Sequence, residues 1–277
     1  MGKIIWLAGY PRSGNVWLRA FLHNLLTDPD EPFSINELSR FCMYDSSGFR
    51  YEKAAGRPVS QLTKDEVARF RPNVHRMMTE ASSDDVFVRT YNALVADRGT
   101  PMLSMDLTAG GIYVVRNPLD IVVSLADYLG MTLDAAIDHL AADIQTDNND
   151  QVAYEYRRSW SDNVLSWTGR ASPALHVVRY EDMAQNPNDT FGKIARFLGT
   201  GAGGERLEKA IRFASFDELS RQEREGGFRE RSEFQQAFFR AGKADGWKDV
   251  LTRTQALKVV NAHRDQMNRF GYVPLGY

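Results

Sequence analysis

The feature that most constrains the fold is the order of three short segments near the start of the chain. Residues 3–19 read KIIWLAGYPRSGNVWLR, in which an apolar run enters a loop with glycines and the loop enters a helical pattern. In such a unit the N–H groups of the loop and of the first helical turn converge, and the helix dipole adds partial positive charge. Arg12 adds a full charge to the same loop. The segment therefore predicts a site for a phosphate or a sulfate group.

The loop differs from the phosphate loop of nucleoside triphosphatases. That loop ends in Gly-Lys-Ser/Thr, where the lysine reaches the terminal phosphates and the hydroxyl binds magnesium. Here Gly14 is followed by Asn15 and Val16, and the basic residue precedes the glycine. Because a valine side chain cannot bind magnesium, a P-loop kinase is the weaker interpretation. A tight turn that binds nothing is the remaining alternative for this stretch taken by itself.

Composition and net charge exclude several classes of protein and of binding partner. The 277 residues carry a formal net charge of −2, so the sequence predicts no nucleic-acid partner, and any anion site must be local. The single Cys42 excludes an intramolecular disulfide and a cysteine zinc cluster, and we predict no metal. No apolar run has the length of a signal peptide or a membrane span. We therefore expect a cytoplasmic protein with no membrane span.

Short apolar runs alternate with helical patterns, which is typical of a parallel sheet flanked by helices. The strand candidates are residues 4–8, 86–89, 112–115 and 175–179. The helix candidates are residues 15–26, 119–129, 133–142, 154–168 and 188–198. Residues 219–246 are polar and contain glycines, which predicts a long loop. We expect a single α/β domain over residues 1–277, with a P-loop-like strand–loop–helix anion site.

Arginines mark the carboxyl ends of the predicted strands. Arg12 lies in the loop after the first strand, Arg89 ends the second, Arg116 follows the third and Arg179 ends the fourth. Ligands of open α/β sheets bind at this edge of the sheet. The pattern therefore predicts a basic cleft for an anionic ligand.

Four segments together resemble the PAPS-dependent sulfotransferase family, whose sulfuryl donor is 3′-phosphoadenosine 5′-phosphosulfate (PAPS). They are YPRSGNVW at 10–17, RNPLD at 116–120 with Ser124, VRYEDM at 178–183, and FRAG at 239–242 with WK at 247–248. They occur in the family's order over most of the chain. The resemblance implies an enzyme that moves a sulfuryl group from PAPS to a hydroxyl, phenol or amine of a small-molecule acceptor, leaving PAP.

The resemblance also implies which residues bind the donor. The 5′-phosphosulfate would lie on the loop, and Arg116, Ser124 and the later glycine segment would hold the 3′-phosphate. Trp17 and Phe216 would enclose the adenine, with Tyr180 near the same base. The full implied set is Arg12, Ser13, Gly14, Asn15, Val16, Trp17, Arg116, Ser124, Tyr180, Phe216, Arg240, Ala241 and Gly242.

Catalysis is the point at which the chain departs from the family. Arg12 replaces the usual lysine, and we expect it at the bridging oxygen of the leaving phosphate, with plain anchoring of the 5′-phosphate as the alternative. Where the family usually has Lys-Thr-His, with histidine as general base, this chain has RTY at 89–91. We expect Tyr91 in the base position beside Arg89, although a free phenol with a pKa of about 10 is a poor base.

Three interpretations of this replacement stay open. The acceptor is itself acidic, or Tyr91 acts as base or orients the acceptor, or the protein binds PAPS with little or no transfer. Residues 33–83 and 222–236 are expected to shape the acceptor pocket as lid or insert segments, and packing of a lid is the alternative role of their aromatic residues. The family's usual dimer element is not recognisable, so the sequence leaves the oligomeric state open.

Overall fold

The computed structural model describes residues 2–240, 242 and 244–277. Its strands are β1 (Ile4–Gly9), β2 (Cys42–Tyr44), β3 (Val86–Thr90), β4 (Ala96–Asp97), β5 (Thr100–Pro101), β6 (Thr108–Val115) and β7 (Leu175–Arg179). Its helices are α1 (Asn15–Thr27), α2 (Leu38–Phe41), α3 (Gly48–Ala55), α4 (Lys64–Thr79), α5 (Pro118–Leu129), α6 (Leu133–Ala141), α7 (Trp160–Thr168), α8 (Tyr180–Gln185), α9 (Pro187–Phe197), α10 (Gly204–Phe213), α11 (Phe216–Gly226) and α12 (Arg253–Phe270).

Five strands form one parallel sheet in the order β2-β3-β1-β6-β7. In the register of β1 with β3, Ile4 is the partner of Val86, and in the register of β2 with β3, Tyr44 is the partner of Arg89. The short strands β4 and β5 form a separate antiparallel pair. The predicted fold class, a parallel sheet flanked by helices, is confirmed.

The chain divides into two compact units by its internal contacts. The first unit comprises residues 1–10, 42–113 and 142–175, and the second comprises residues 11–41, 114–141 and 176–277. Trp6, Val88 and Ile112 are buried in the first unit, which includes β1 to β3, α3, α4 and α7. The second unit contains α1, α5, α6 and α8 to α12, and its core is built from the apolar faces of these helices.

The ends of the helices follow their local sequence. Asn117 caps α5 by accepting the N–H of Leu119, and Pro118 occupies the first turn, where the missing N–H is not needed. The helix ends at Gly130, whose left-handed backbone suits glycine. These signals explain why α5 starts immediately after the predicted third strand.

The predicted helix over residues 154–168 is wrong in its first part. Only Trp160–Thr168 is helical, and Ser159 caps it by accepting the N–H of Asp162. The preceding residues use their backbone in loop contacts, since the Tyr156 carbonyl accepts the N–H of Ala93. A backbone engaged in this way cannot also form helical hydrogen bonds.

The predicted loop over residues 219–246 is also wrong at its start, because α11 extends to Gly226. Ser215 caps this helix, and Arg221 pairs with Glu218 and Glu225 at helical spacing. These contacts support a polar helix on which few apolar residues are buried. Within the described residues, no helix has the length and apolar character needed to cross a membrane.

Candidate functional site

The loop between β1 and α1 has the backbone of an anion site. Arg12 and Gly14 both adopt positive φ, 71° and 107° respectively. Gly14 occupies the N-cap position of α1, where it provides no side-chain cap, and the first turn of the helix contains no acidic residue. The N–H groups of that turn are therefore not satisfied by a side-chain cap, which is the arrangement that binds phosphate or sulfate.

Arg12 is held by side chains on α5 and on a later segment of the same unit. Its Nε donates to Ser124 Oγ at 2.9 Å. Its guanidinium carbon lies 4.8 Å from the ring centre of Tyr128 and 4.2 Å from that of Phe238. The structure thus brings together Arg12 and Ser124, which the sequence assigns to the two different ends of the donor. The rings fix the guanidinium by cation–π contact.

Arg116 lies against the same loop. Its NH1 donates to the Arg12 carbonyl at 2.9 Å, and its guanidinium carbon is 4.1 Å from the centre of the Tyr180 ring. Tyr180 also contacts Trp17 edge to face, with 5.6 Å between ring centres. A Cβ on Gly14 would lie 2.7 Å from Tyr180. The Tyr180 ring therefore packs against three of the predicted site residues, Gly14, Trp17 and Arg116.

Several buried polar atoms of this cluster have no hydrogen-bond partner within the described part of the chain. They are Ser13 Oγ, Arg116 Nε and Trp17 Nε1. Native proteins rarely leave such atoms unsatisfied, and each one is a donor suited to a phosphate or sulfate oxygen or to a base acceptor. The atoms present therefore fit an anionic nucleotide.

Asp120, for which the sequence assigned no role, ties a later segment to α5. Its Oδ2 accepts the N–H of Asp245 at 2.9 Å, and its Oδ1 accepts the N–H of Trp247 at 3.0 Å. The carboxyl is 4% exposed and Trp247 is buried. The segment that the resemblance assigns to the 3′-phosphate is thus held on the helix that carries Ser124. The sequence shows only an acid in the first turn of a predicted helix, which is a common position and does not by itself indicate this role.

Glu223, on α11, also holds later residues in place by accepting hydrogen bonds from their backbone N–H groups. Its two carboxylate oxygens accept the N–H groups of Phe238 and Phe239, at 2.7 and 2.9 Å. Glu223 is 6% exposed. This contact positions Phe238, whose ring packs on Arg12. Nothing in the local sequence distinguishes this glutamate from its charged neighbours.

The structure brings together only some of the remaining residues that are predicted to bind the donor. The Phe216 ring packs on Gly242 so closely that a Cβ there would lie 2.2 Å from Phe216 Cδ2. Phe216 also contacts Phe239, at 6.4 Å between ring centres. Arg240 is exposed. Ala241 lies outside the described residues.

The second group of predicted residues lies in the first unit, at the end of β3. Arg89 NH1 and the Tyr91 hydroxyl are 3.4 Å apart, and the Arg89 guanidinium lies over the Tyr44 ring at 4.2 Å. Asp45 fixes the residues on either side of Tyr91, because Thr90 and Asn92 both donate to Asp45 Oδ2 at 2.8 Å.

Two further residues complete this group. The Tyr44 hydroxyl donates to Glu155 Oε1 at 2.5 Å, and Arg157 Nε donates to Glu155 Oε2 at 2.6 Å. The Arg157 guanidinium also lies 5.9 Å from the centre of the Tyr91 ring. Glu155 has no exposed surface. We call Tyr44, Arg89, Tyr91, Glu155 and Arg157 the tyrosine cluster.

Comparisons with known proteins agree with this geometry. Sulfotransferase 1A1 of Canis lupus familiaris is 24% identical over 264 residues, covering 90% of this chain and 78% of the relative. Flavonol 3-sulfotransferase of Flaveria bidentis is 22% identical over 281 residues, covering 97% and 83%. A crystal structure of a mouse sulfotransferase complexed with PAP has a TM-score of 0.63 at 19% identity, covering 96% of this chain and 84% of that one.

A parallel sheet whose central strand runs into an anion-binding loop, with arginines at that loop, defines an α/β protein of the nucleotide-binding class. The family model of the sulfotransferase domain matches residues 3–271. The chain therefore belongs to the sulfotransferase family and is an enzyme of sulfuryl transfer. This confirms the family that the four sequence segments indicated.

Proposed function

We propose that this sulfotransferase uses PAPS as donor and transfers its sulfuryl group to a hydroxyl, phenol or amine of a small-molecule acceptor. The observation that carries the proposal is the anion site in the second unit, where Ser13 Oγ and Arg116 Nε are buried donors with no partner in the described chain. PAPS carries anionic groups at two ends of the nucleotide, so one would bind the loop between β1 and α1 and the other would bind Arg116.

The donor-binding roles follow from these positions. Ser13, Gly14, Asn15 and Val16 would hold the 5′-phosphosulfate through loop and helix N–H groups. Arg116, Ser124, Arg240 and Gly242 would hold the 3′-phosphate, with Ala241 in the same segment. Trp17, Tyr180 and Phe216 would form the adenine site. No metal is proposed in this reaction.

Arg12 is proposed to stabilise the leaving group. In sulfuryl transfer, as in phosphoryl transfer, the protein mainly positions the reactants and stabilises charge on the departing oxygen. A guanidinium carries a permanent charge and cannot serve as an acid, so Arg12 would act on the bridging oxygen by charge alone. Its contacts with Ser124 and Phe238 give it a fixed orientation.

Tyr91 is proposed to contact the acceptor's nucleophilic atom, either as base or as the group that orients it. The proximity of Arg89 to its hydroxyl and of Arg157 to its ring supports a site for an oxygen that gains negative charge. Residues 33–83 and 222–236 are proposed to shape the acceptor pocket within a single sulfotransferase domain.

The names of related proteins indicate which class of acceptor to test first. One relative acts on a flavonol, and a retinol dehydratase with this fold, at TM-score 0.64 and 17% identity, has been crystallised with androsterone and PAP. A phenol or an apolar alcohol is therefore the first class to screen. Two relatives from Arabidopsis thaliana are called cytosolic sulfotransferases, which supports a cytoplasmic location.

The test of the function is transfer of labelled sulfate from PAPS to a panel of phenols and alcohols. We expect a labelled product, and transfer that persists in EDTA, because Val16 provides no hydroxyl for magnesium. A protein that binds PAP but labels no acceptor would support the alternative of a homologue without transfer, which the replacement of histidine by Tyr91 favours. Magnesium-dependent transfer from ATP would instead indicate a kinase.

The role of Tyr91 is tested by Tyr91→Phe. We expect kcat to fall by about 100-fold while the Kd for PAP stays unchanged, because a positioned proton-transfer or orienting group contributes about that factor. Steady-state kinetics and calorimetric titration with PAP measure the two quantities. Unchanged turnover would remove Tyr91 from the mechanism.

A further inference from the structure

The proposed 3′-phosphate site depends on the position of Arg116. A guanidinium donates two parallel hydrogen bonds to a phosphate only when its plane is correctly oriented. Arg116 follows the last residue of β6 and lies just before α5, so it belongs to the junction of two elements. Its side chain contacts the Arg12 carbonyl and the Tyr180 ring. The orientation of the guanidinium also depends on what fixes the backbone at this junction.

Glu181 fixes the residue that follows Arg116. Its Oε1 accepts the N–H of Asn117 at 3.0 Å, and Asn117 is the N-cap residue of α5. Glu181 is 6% exposed and lies in the first turn of α8, next to Tyr180. A carboxylate is stabilising at the N-terminus of a helix because of the helix dipole. Two adjacent residues, Tyr180 and Glu181, thus hold the guanidinium of Arg116 and the backbone immediately after it.

Tyr272 holds the second carboxylate oxygen of Glu181. Its hydroxyl donates to Glu181 Oε2 at 2.6 Å and lies 3.4 Å from the carbonyl oxygen of Val115, the residue before Arg116. Tyr272 is buried, and burial together with the Glu181 charge raises the pKa of its hydroxyl well above the ordinary value of 10. The hydroxyl therefore stays protonated at neutral pH and remains a donor to Glu181.

Tyr272 is itself fixed at the end of the last helix. It follows Gly271, which ends α12 with a left-handed backbone, and its N–H donates to the Met267 carbonyl at 2.8 Å. The Arg179 guanidinium lies 4.9 Å from the centre of the Tyr272 ring. The end of α12 is thus connected to the start of α5 through the carboxylate of Glu181.

We propose that Glu181 and Tyr272 are positioning residues for the 3′-phosphate and give the donor site its preference for a nucleotide with that group; this rests on the proposed function. Glu181 fixes Asn117 on one side of Arg116. Tyr272 holds Glu181 and lies against Val115 on the other side. Because a misplacement of about 1 Å disrupts a bidentate contact, release of either restraint should weaken binding of the 3′-phosphate.

The test measures the ratio of the Kd for AMP to the Kd for PAP, since the two nucleotides differ only in the 3′-phosphate. Calorimetric titration gives both constants for the wild-type protein and for the variants Glu181→Ala and Tyr272→Phe. We expect Glu181→Ala to reduce the ratio by about tenfold or more. Tyr272→Phe should reduce it by about three- to fivefold, because it removes one restraint on Glu181 and keeps the Asn117 contact.

The Kd for AMP should change by less than about twofold in both variants, because the proposed 5′-phosphate site lies on the loop between β1 and α1. An equal loss of affinity for AMP and PAP would leave the ratio unchanged. That result would reduce Glu181 and Tyr272 to a structural role and overturn the inference.

Tyr154→Phe is the matched control. It also removes the hydroxyl of a buried tyrosine that donates to a carboxylate, Asp97 Oδ2 at 2.9 Å, but it lies in the first unit. We expect this variant to keep the wild-type ratio even if it unfolds at a lower temperature. A ratio that falls as far in Tyr154→Phe as in Tyr272→Phe would contradict the inference, because the loss would then follow from destabilisation alone.

Failure of the proposed function has a different signature. In that case the wild-type protein binds PAP no more tightly than AMP, and the inference falls with it. If Glu181→Ala does not fold, Tyr272→Phe decides the matter by itself. AMP binding then shows that this variant is native, and a wild-type ratio in it contradicts the proposal.

Discussion

Asp45 shows how a single buried carboxyl fixes the backbone on either side of Tyr91. It is completely buried and accepts hydrogen bonds from Thr90 and Asn92, which flank Tyr91. Burial raises the pKa of the Asp45 carboxyl to about 6, against the opposing effect of Arg71. Between about pH 4 and pH 6 the folded protein therefore binds more protons than the unfolded chain, and its stability falls as the pH rises through this window.

Asp45→Asn should remove this dependence. The amide keeps the size of the side chain and an oxygen for Thr90, but does not titrate. Relative to this variant, the wild-type free energy of unfolding should fall by roughly 2 kcal/mol from pH 4 to pH 6 and level off near pH 7. Urea unfolding of both proteins over this range measures the difference. Parallel curves for the two proteins would mean that Asp45 does not titrate in this window.

We expect donor binding to depend on the loop that joins β1 to α1. Gly14 is required there for two reasons, because its φ is 107° and because a Cβ would lie 2.7 Å from Tyr180. Displacing Tyr180 would also move Arg116, which packs on its ring. A single methyl group at this position therefore disturbs the loop and the arginine together.

Gly14→Ala should weaken PAP binding by about tenfold or more, and Gly56→Ala is its control. Gly56 also has a positive φ, 73°, but no atom of the described residues lies within 4 Å of the point that a Cβ would occupy there. Both variants should lose about 1–2 kcal/mol of stability from backbone strain, and only the first should lose affinity. Calorimetric titration and thermal unfolding separate the two effects. Equal affinities would show that the loop tolerates the displacement of Tyr180.

The elements with strong local signals could be predicted from the sequence. Four of the five strands of the main sheet and the start of α5 follow from apolar runs and from Pro118. Strand β2 could not be predicted, because Cys42–Tyr44 is only three residues long and pairs with β3, which is distant in sequence. Its position depends on tertiary pairing, which no local pattern records.

The site could be predicted only as far as its motifs extend. Loop residues and Arg116 lie in motifs with recognisable spacing, so the sequence alone predicts a role for them, and that role stays a prediction. Asp120, Glu223 and Glu155 act through the backbone or through another side chain at long sequence separation. Such partners are ordinary acids until the fold brings them to their targets, so a single sequence does not distinguish them from surface charges.

Across the whole molecule the positive and negative charges nearly cancel, so attraction for anions is confined to the anion site. With a net charge of −2 the protein has no general attraction for anions. Affinity for a nucleotide must come from directed donors, and it should depend on where the ligand carries its phosphates.

PAP should therefore stabilise the protein against unfolding, and AMP, which lacks the 3′-phosphate, should do so much less. At a PAP concentration of 100 times its Kd, a ligand that binds only the folded state adds about 2.7 kcal/mol. Thermal unfolding with PAP, AMP or neither measures the effect. Equal shifts for PAP and AMP would exclude a specific 3′-phosphate site.

The two clamping acids have a consequence for the speed of turnover. Glu223 accepts the N–H groups of Phe238 and Phe239, and Asp120 accepts those of Asp245 and Trp247. Hydrogen bonds to a charged group contribute about 1.5–3 kcal/mol each, so these four residues separate rarely from α11 and α5. If PAP binds as proposed, its release would require some of these hydrogen bonds to open. The residence time of PAP, set in part by these two carboxylates, would then determine how often the enzyme can begin a new cycle.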